Sequence, residues 1–263
     1  MHPDILFVTL DSCRYDAFAA AHAPNLKSVG SLHRAKSPSH FTFGAHAAFF
    51  MGFTPGVADI AAPYVNPKFG KIFRMNAGGF SGMAKPRFDL DGPNIIEGLR
   101  RLGFAAIGTG AVGWFDPGTA TGRVLTDPFE EFYFPGNSWS LGAQLRWIDA
   151  ALAKRPSPHF VFLNIGETHV PYFHEGAPWD RQRNPCVPFR ADNDAVECRR
   201  RQTACIEFVD SALASLLDRF AEGLIIVCGD HGDAWGEGGL WEHGISHDVV
   251  LEVPLLLRLP SAE

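Results

Sequence analysis

Leu224-Ile-Ile-Val-Cys228 runs straight into Gly229-Asp230-His231-Gly232, so an apolar stretch of strand length ends on two adjacent metal-ligand side chains flanked by glycines. The same event occurs near the amino end, where Ile5-Leu-Phe-Val-Thr-Leu10 meets Asp11. Strands this apolar are central and covered on both faces, and open α/β sheets bind ligands where such strands end. Two strand ends therefore offer Asp11, Asp230 and His231 to one site. Carboxylate oxygens with an imidazole suit a divalent ion such as Zn²⁺ or Mn²⁺ without thiolate. An Asp that follows a strand is also a common helix N-cap, and for Asp11 that reading stands beside the metal reading. For Asp230-His231 the flanking glycines favour a site, because they imply backbone making room.

Outward from these two ends, helical and strand patterns alternate. Pro93 to Leu102 has helical spacing, Gly103 ends it, and Phe104 to Gly108 reads as a strand. Trp139 to Lys154 is an amphipathic helix that leads through Pro156-Ser-Pro158 into the strand Phe160-Val-Phe-Leu163. A third helix runs from about Asp194 to Phe220, with Cys205, Phe208, Val209, Leu213, Leu216 and Leu217 as its buried stripe. The alternation implies an α/β, three-layer αβα sandwich with a mostly parallel central sheet. Residues from about 57 to 91, rich in Pro, Gly and Phe and without clear period, read as a loop-rich insertion over the site, where substrate selection would sit. The 263 residues are taken as one catalytic domain.

Hydrophobic residues make up 46% of the chain and charged ones 20%, with no apolar run of membrane length, so no membrane association is expected. The amino terminus lacks a basic n-region and a long apolar core, and is read as a strand rather than a signal peptide. Five cysteines, at 13, 186, 198, 205 and 228, form no CxxC pair, and their odd number argues against a closed disulfide framework, which points to the cytoplasm. A net charge of −6 offers no general attraction to nucleic acid. Arg199-Arg-Arg201 is read as a solvated helix face, and Cys13 as a small filler beside Asp11.

Ser39-His-Phe-Thr42-Phe-Gly-Ala-His46-Ala-Ala-Phe-Phe-Met-Gly52 supplies a candidate nucleophile. Residues four apart share a helical face, so His46 would lean toward Thr42, and a helix opening there would turn free N–H groups toward an anion. The pattern resembles the sulfatase-like branch of the alkaline phosphatase superfamily, in which a nucleophilic Cys, Ser or Thr opens a helix, a basic residue follows at four and a Gly at ten. Asp11-Ser-Cys-Arg14-Tyr-Asp16, Ala23-Pro-Asn-Leu26, Phe162-Leu-Asn164 through Thr168-His169-Val-Pro-Tyr172, Gly229 to Asp233 with Gly236 to Gly244, and Val253-Pro-Leu255 resemble further family segments in the family's order. The chain departs from formylglycine sulfatases, which carry Cys or Ser, then Pro, then Arg where Thr42, Gly44 and His46 stand. Thr cannot become formylglycine, so the resemblance favours phosphoryl over sulfuryl chemistry and looks toward phosphonate ester hydrolases and phosphoethanolamine transferases.

The resemblance implies a metal-dependent hydrolase of phosphate or phosphonate esters, with a phosphoethanolamine-type transferase or a sulfatase as alternatives and a noncatalytic relative as the reading from another class. It implies one ion bound by Asp11, Thr42, Asp230 and His231, a covalent phospho-threonine, His46 and His243 countering charge on the transferred group, and His169 at the leaving group. A weaker second ion would draw on Asp233, His243 and His247. The remaining histidines read otherwise: His40 and His174 as loop residues, His33 and His159 as structural, His247 as packing beside Asp248. The expected substrate is a small-molecule or modified-peptide ester. The chain stops soon after Val253-Pro-Leu255, so the family's usual C-terminal subdomain is expected to be absent, leaving a site wall open or completed by a second subunit in a homo-oligomer.

Overall fold

The computed structural model describes residues 2–52, 73–75, 88–90 and 94–260. In chain order its elements are β1 (Ile5–Leu10), α1 (Tyr15–Ala20), α2 (Pro24–Lys27), β2 (His33–Lys36), α3 (Thr42–Met51), β3 (Phe73–Met75), β4 (Phe88–Leu90), α4 (Ile95–Arg101), β5 (Ala105–Gly110), α5 (Ala120–Thr126), β6 (Glu131–Tyr133), α6 (Leu141–Leu152), β7 (His159–Ile165), α7 (Ala195–Arg219), β8 (Leu224–Gly229), β9 (Ala234–Trp235), β10 (Trp241–Glu242), α8 (Asp248–Leu251) and β11 (Glu252–Arg258). Seven strands form the central sheet in the order β2-β11-β8-β1-β7-β5-β6. The pairs from β8 to β6 are parallel, and β11 runs antiparallel to both β8 and β2. Within the expected insertion at 57–91, β3 and β4 pair antiparallel; the rest of that stretch lies outside the described residues.

The strand period of two sorts side chains into two cores. Leu6, Val8 and Leu10 of β1 join Val161, Leu163 and Ile165 of β7 on an aliphatic face covered by α1, α2, α6 and α7. Phe160 and Phe162, with Ile5 and Phe7 packed beside them, face the other way into an aromatic core with Phe50 of α3, Ile96 of α4, Phe115, Leu125 of α5 and Phe129. Burying each large apolar side chain is worth about 1.5–3 kcal/mol, and a one-residue slip would exchange the two faces, so the register is held firmly.

The helices follow local signals. Asn94 caps α4 by accepting from the Ile96 N–H at 2.8 Å, and Asp194 caps α7 through the Glu197 N–H at 3.0 Å. Gly52 ends α3 in the left-handed region at φ 62°, which accounts for a glycine ten residues after Thr42. Asp210 of α7 accepts from the Leu26 N–H at 2.7 Å and the Asn25 side chain at 2.8 Å, which gives Pro24-Asn-Leu26 its structural reason. The expected solvated face at Arg199-Arg-Arg201 needs correcting at one residue. Arg201 is 2% exposed, because it falls on the same side of α7 as Cys198 and Cys205. There it pairs with Glu197 at 2.6 Å and donates to the Arg183 carbonyl at 2.8 Å. Phe208, expected in the buried stripe, is half-buried and stacks on His174 with ring centroids 4.4 Å apart. Among the described residues no helix is long and apolar enough to cross a membrane.

Candidate active site

Register brings the two sequence signals together. Leu10 of β1 pairs with Gly229 of β8 in a parallel ladder, so Asp11 and Asp230 leave the sheet side by side. Ser12 then turns at φ 57°, an uncommon value for a residue with a Cβ, and its N–H donates to Asp230 Oδ1 at 3.0 Å. The His231 N–H donates to the same oxygen at 2.8 Å. The glycine at 232 makes room for the protein itself: a Cβ there would lie 2.5 Å from the Val249 carbonyl oxygen.

Thr42, first residue of α3, is carried into this corner with its Oγ1 3.2 Å from His231 Nε2 and 3.5 Å from Asp11 Oδ1. The N-cap residue of α3, Phe41, brings no capping oxygen, and first-turn N–H groups of an uncapped helix suit an anion. His231 Nδ1 lies 3.0 Å from the Gly232 carbonyl oxygen. A carbonyl only accepts, so Nδ1 holds the hydrogen and Nε2 presents a lone pair. That Nε2 is 3.8 Å from Asp11 Oδ1 and 3.6 Å from Asp230 Oδ2. Asp11, Asp230 and His231 are fully buried and their ligand atoms lie within 4.8 Å of one another.

Among the described residues, no Lys or Arg is paired with the carboxylates of Asp11 and Asp230. Asp230 Oδ2 is buried without a hydrogen-bond partner, and its carboxyl is pushed well above the usual range, first by burial and then by Asp11. Burial also lowers His231 to about 4, against the opposing pull of Asp11. An orphaned carboxylate oxygen, a second carboxylate, a bare imidazole nitrogen and a hydroxyl are donors that fit a divalent cation.

A second group stands at the rim. His243 Nδ1 is 2.7 Å from Asp233 Oδ1, and its ring lies 4.6 Å from that of His231 and 5.2 Å from that of His169. Burial works against the charged His243, but the hydrogen bond and charge of Asp233 outweigh it and raise the group to about 9. Burial pushes Asp233 up, yet the His243 hydrogen bond and neighbouring imidazoles hold it below the usual carboxylate range. Tyr172 donates to Asp233 Oδ2 at 2.8 Å while accepting from the Trp235 indole at 2.8 Å. His169 bonds the Val170 carbonyl through Nδ1 at 2.8 Å, which leaves Nε2 free. Of the candidates for a second ion, Asp233 and His243 group with His231, whereas His247 accepts from the Val249 N–H at 3.2 Å and caps α8.

His46 Nδ1 lies 3.8 Å from Asp230 Oδ2, yet the hydrogen bonds of its ring go elsewhere. It is fully buried, with Nδ1 on the Thr42 carbonyl at 2.8 Å and Nε2 on Thr9 Oγ1 at 2.9 Å. Rings of Phe49, Phe50, Phe115 and Phe162 surround it, and burial lowers it to about 4 despite the Thr42 hydrogen bond. That lowering works against the cationic role expected of His46, whose ring is held by its two hydrogen bonds. Cys13 is buried and its thiol is pushed well up by burial and then Asp230, which fits a filler.

Residues passed over in the sequence complete the frame. Asn164 donates to Asp11 Oδ2 at 3.2 Å. Arg14 grips Asp16 through two nitrogens, pairs with Glu237 at 2.7 Å, donates to the Asp233 carbonyl at 3.1 Å and lies 4.2 Å over the Trp235 ring. It thus ties the Asp11 turn to the Asp233 loop. The motif Asp11-x-x-Arg14-x-Asp16 carried this signal, but the partners on the far loop did not show.

No protein-family model matches the chain, and no curated protein matches it significantly. Solved structures do. The C-terminal periplasmic domain of the phosphoethanolamine transferase EptC from Campylobacter jejuni superposes with a TM-score of 0.66 at 12% identity, over 98% of this chain and 79% of that one. The corresponding EptC domain from Escherichia coli, a complex with Zn, gives 0.64 at 14% identity over 99% and 74%. A phosphonate monoester hydrolase from Agrobacterium radiobacter gives 0.62 at 15% identity over 98% and 68%. The fold is that of the alkaline phosphatase superfamily. At these identities the likeness speaks for architecture, and the chemistry has to be argued from this chain's own residues.

Proposed function

We propose that the chain is a metal-dependent enzyme acting on phosphate or phosphonate esters, with Thr42 as nucleophile. The observation that carries this reading is the convergence of Thr42 Oγ1 at a helix N-terminus with Asp11, His231 and the orphaned Asp230 Oδ2. Asp11, Thr42, Asp230 and His231 would hold a divalent ion, and the zinc in the E. coli domain supports Zn²⁺ as the first candidate. Such an ion supplies charge neutralisation in the buried corner and a lowered pKa for the Thr42 hydroxyl. Asp233 and His243, with His231, are proposed for a weaker second ion.

The protein's own groups then divide the work. Thr42 Oγ1 gives up its proton and attacks phosphorus, the bond from phosphorus to the ester oxygen breaks, the departing oxygen takes up a proton, and a phospho-threonine forms. The first-turn N–H groups of α3 and the protonated His243 face the oxygens of the transferred group. His169, whose Nε2 is free, exchanges a proton with the leaving oxygen and then with the attacking water. Transfer to an acceptor other than water is the second reading, favoured by the names of the similar EptC domains; both share the same intermediate. The proposed substrate is a small-molecule or modified-peptide ester rather than nucleic acid, in keeping with the charge of −6. A cytoplasmic setting is proposed from the five buried, unpaired cysteines.

The test is turnover of matched aryl phosphate, phosphodiester, phosphonate and sulfate esters with Zn²⁺ or Mn²⁺, by wild type and Thr42→Ala. Turnover of a phosphorus ester that vanishes in the variant, with a phosphoryl adduct found on the Thr42 peptide, supports the proposal. Sulfate as the best substrate overturns it. An adduct that forms yet is not released by water moves the transferase reading ahead.

A further inference from the structure

We propose that His46 is a positioning residue, its Nδ1–H donating to the Thr42 carbonyl at the end of a buried hydrogen-bond chain that runs from Asp11 through Asn164 and Thr9. Its catalytic consequence rests on the reading of Thr42 as nucleophile; the hydrogen-bond chain itself does not. Each link has one direction. Asn164 Oδ1 accepts from the Ala111 N–H at 3.3 Å, which turns its NH₂ group toward Asp11 Oδ2 and Thr9 Oγ1, each at 3.2 Å. Thr9 Oγ1 accepts from Asn164 and has its own hydrogen to give to His46 Nε2, 2.9 Å away. His46 Nδ1 faces the Thr42 carbonyl oxygen at 2.8 Å and must donate to it. One neutral imidazole satisfies every donor and acceptor in that line.

The placement follows from the strand faces. Ile5, Phe7 and Thr9 alternate on β1 as Phe160, Phe162 and Asn164 do on β7, and Thr9 pairs with Asn164 in register. The two polar side chains are thus the last residues of an otherwise apolar face, where it meets the site. His46 is 0% exposed there, with the Phe115 ring 4.9 Å from its own. The chain engages Asp11 through Oδ2, leaving Oδ1 to face His231 and Thr42. It therefore ties a proposed ion ligand to the backbone that aims Oγ1, without occupying either reactive atom. Misplacing a nucleophile by about 1 Å can cost about 10²-fold in rate.

Two measurements on the full chain test this. In ¹⁵N-histidine-labelled wild type at neutral pH, His46, assigned by its loss in His46→Asn, should carry its proton on Nδ1 with Nε2 bare. An Nε2–H tautomer or an imidazolium overturns the proposal. His46→Asn keeps a donor at the δ position and His46→Gln moves it to the ε position. On the best ester, Asn should keep kcat within about tenfold of wild type while Gln loses about 10²-fold with KM little changed. Equal losses overturn the positioning role. If no ester turns over and no adduct forms on Thr42, the phosphoester reading fails, and calorimetric Zn²⁺ affinity still decides the relay. Gln should then bind about 10–100-fold more weakly than Asn, and equal affinities count against it.

Discussion

The two sides of Thr42 are built from opposite materials. Behind it, Phe49, Phe50, Phe115 and Phe162 enclose His46 and hold it at about 4. In front, Asp233 holds His243 at about 9. The residue type is the same and both rings are largely withdrawn from water, so burial alone does not set the charge. What differs is the nearest partner: His46 bonds a carbonyl and a hydroxyl, with the Asp230 carboxylate no nearer than 3.8 Å and Asp11 too weak to offset desolvation, whereas His243 bonds a carboxylate at 2.7 Å. A nucleophile between a neutral wall and a charged rim is fixed from one side and served from the other.

The largest effect should come from the residue at that boundary. Thr42→Ala is expected to lower kcat about 10³-fold or more on any ester that the wild type turns over, measured at saturating metal. A loss below tenfold would place the nucleophile elsewhere.

Asp230→Asn should separate stability from function. It replaces the orphaned Oδ2, buried beside Asp11, with an amide group that need not carry charge, so the metal-free protein should gain about 1–3 kcal/mol, about 2–4 °C in Tm per kcal/mol. The same change should weaken Zn²⁺ binding about 10²-fold or more and remove the rise in Tm that the ion produces. Calorimetry and thermal melts with and without Zn²⁺ read both; a variant less stable without metal would mean that the corner tolerates its two carboxylates.

His243→Gln tests the rim, with an expected loss of about 10–100-fold in kcat. It also carries a pH signature. The folded value of about 9 lies above the ordinary 6.5, so in metal-free protein the His243 contribution to stability is complete below about 6.5 and is lost as pH rises through about 9. His46 and His231, held at about 4, act in the opposite sense: they cost nothing above about 6.5 and lower stability as pH falls toward 4. Melts across pH should show both declines in wild type, and the difference between wild type and His243→Gln should grow toward acid and close above pH 9. A difference independent of pH would break the comparison.

Tyr172→Phe should have the smallest effect. It strips one donor from Asp233 and leaves the buried Trp235 indole without its acceptor, at a cost of about 1–3 kcal/mol in denaturant unfolding. Turnover should change by less than tenfold, since Asp233 keeps its bond to His243.

Much of the frame was legible because it rests on local rules. The apolar runs that end at Asp11 and Asp230 are strands by composition, and the spacing from Thr42 to Gly52 is one short helix with a glycine cap. Two edge strands were not legible. His33–Lys36 of β2, mostly exposed, and Glu131–Tyr133 of β6, half-buried throughout, are too short to show alternation, and only their neighbours make them strands. The surroundings of His46 were not legible for a related reason: spacing places it on the face of Thr42 but says nothing of what packs against that face.

The sequence by itself determined the α/β architecture, the strand ends and the identity of the candidate ligands, because periodicity, turn residues and chain breaks act over a few neighbouring positions. Only the tertiary structure decided that Leu10 pairs with Gly229, that Asp230 Oδ2 is left without a partner, and that His46 faces phenylalanines while His243 faces a carboxylate. Those outcomes depend on residues 10 to more than 200 positions apart brought together out of water, where desolvation and the nearest charge set the protonation of each group.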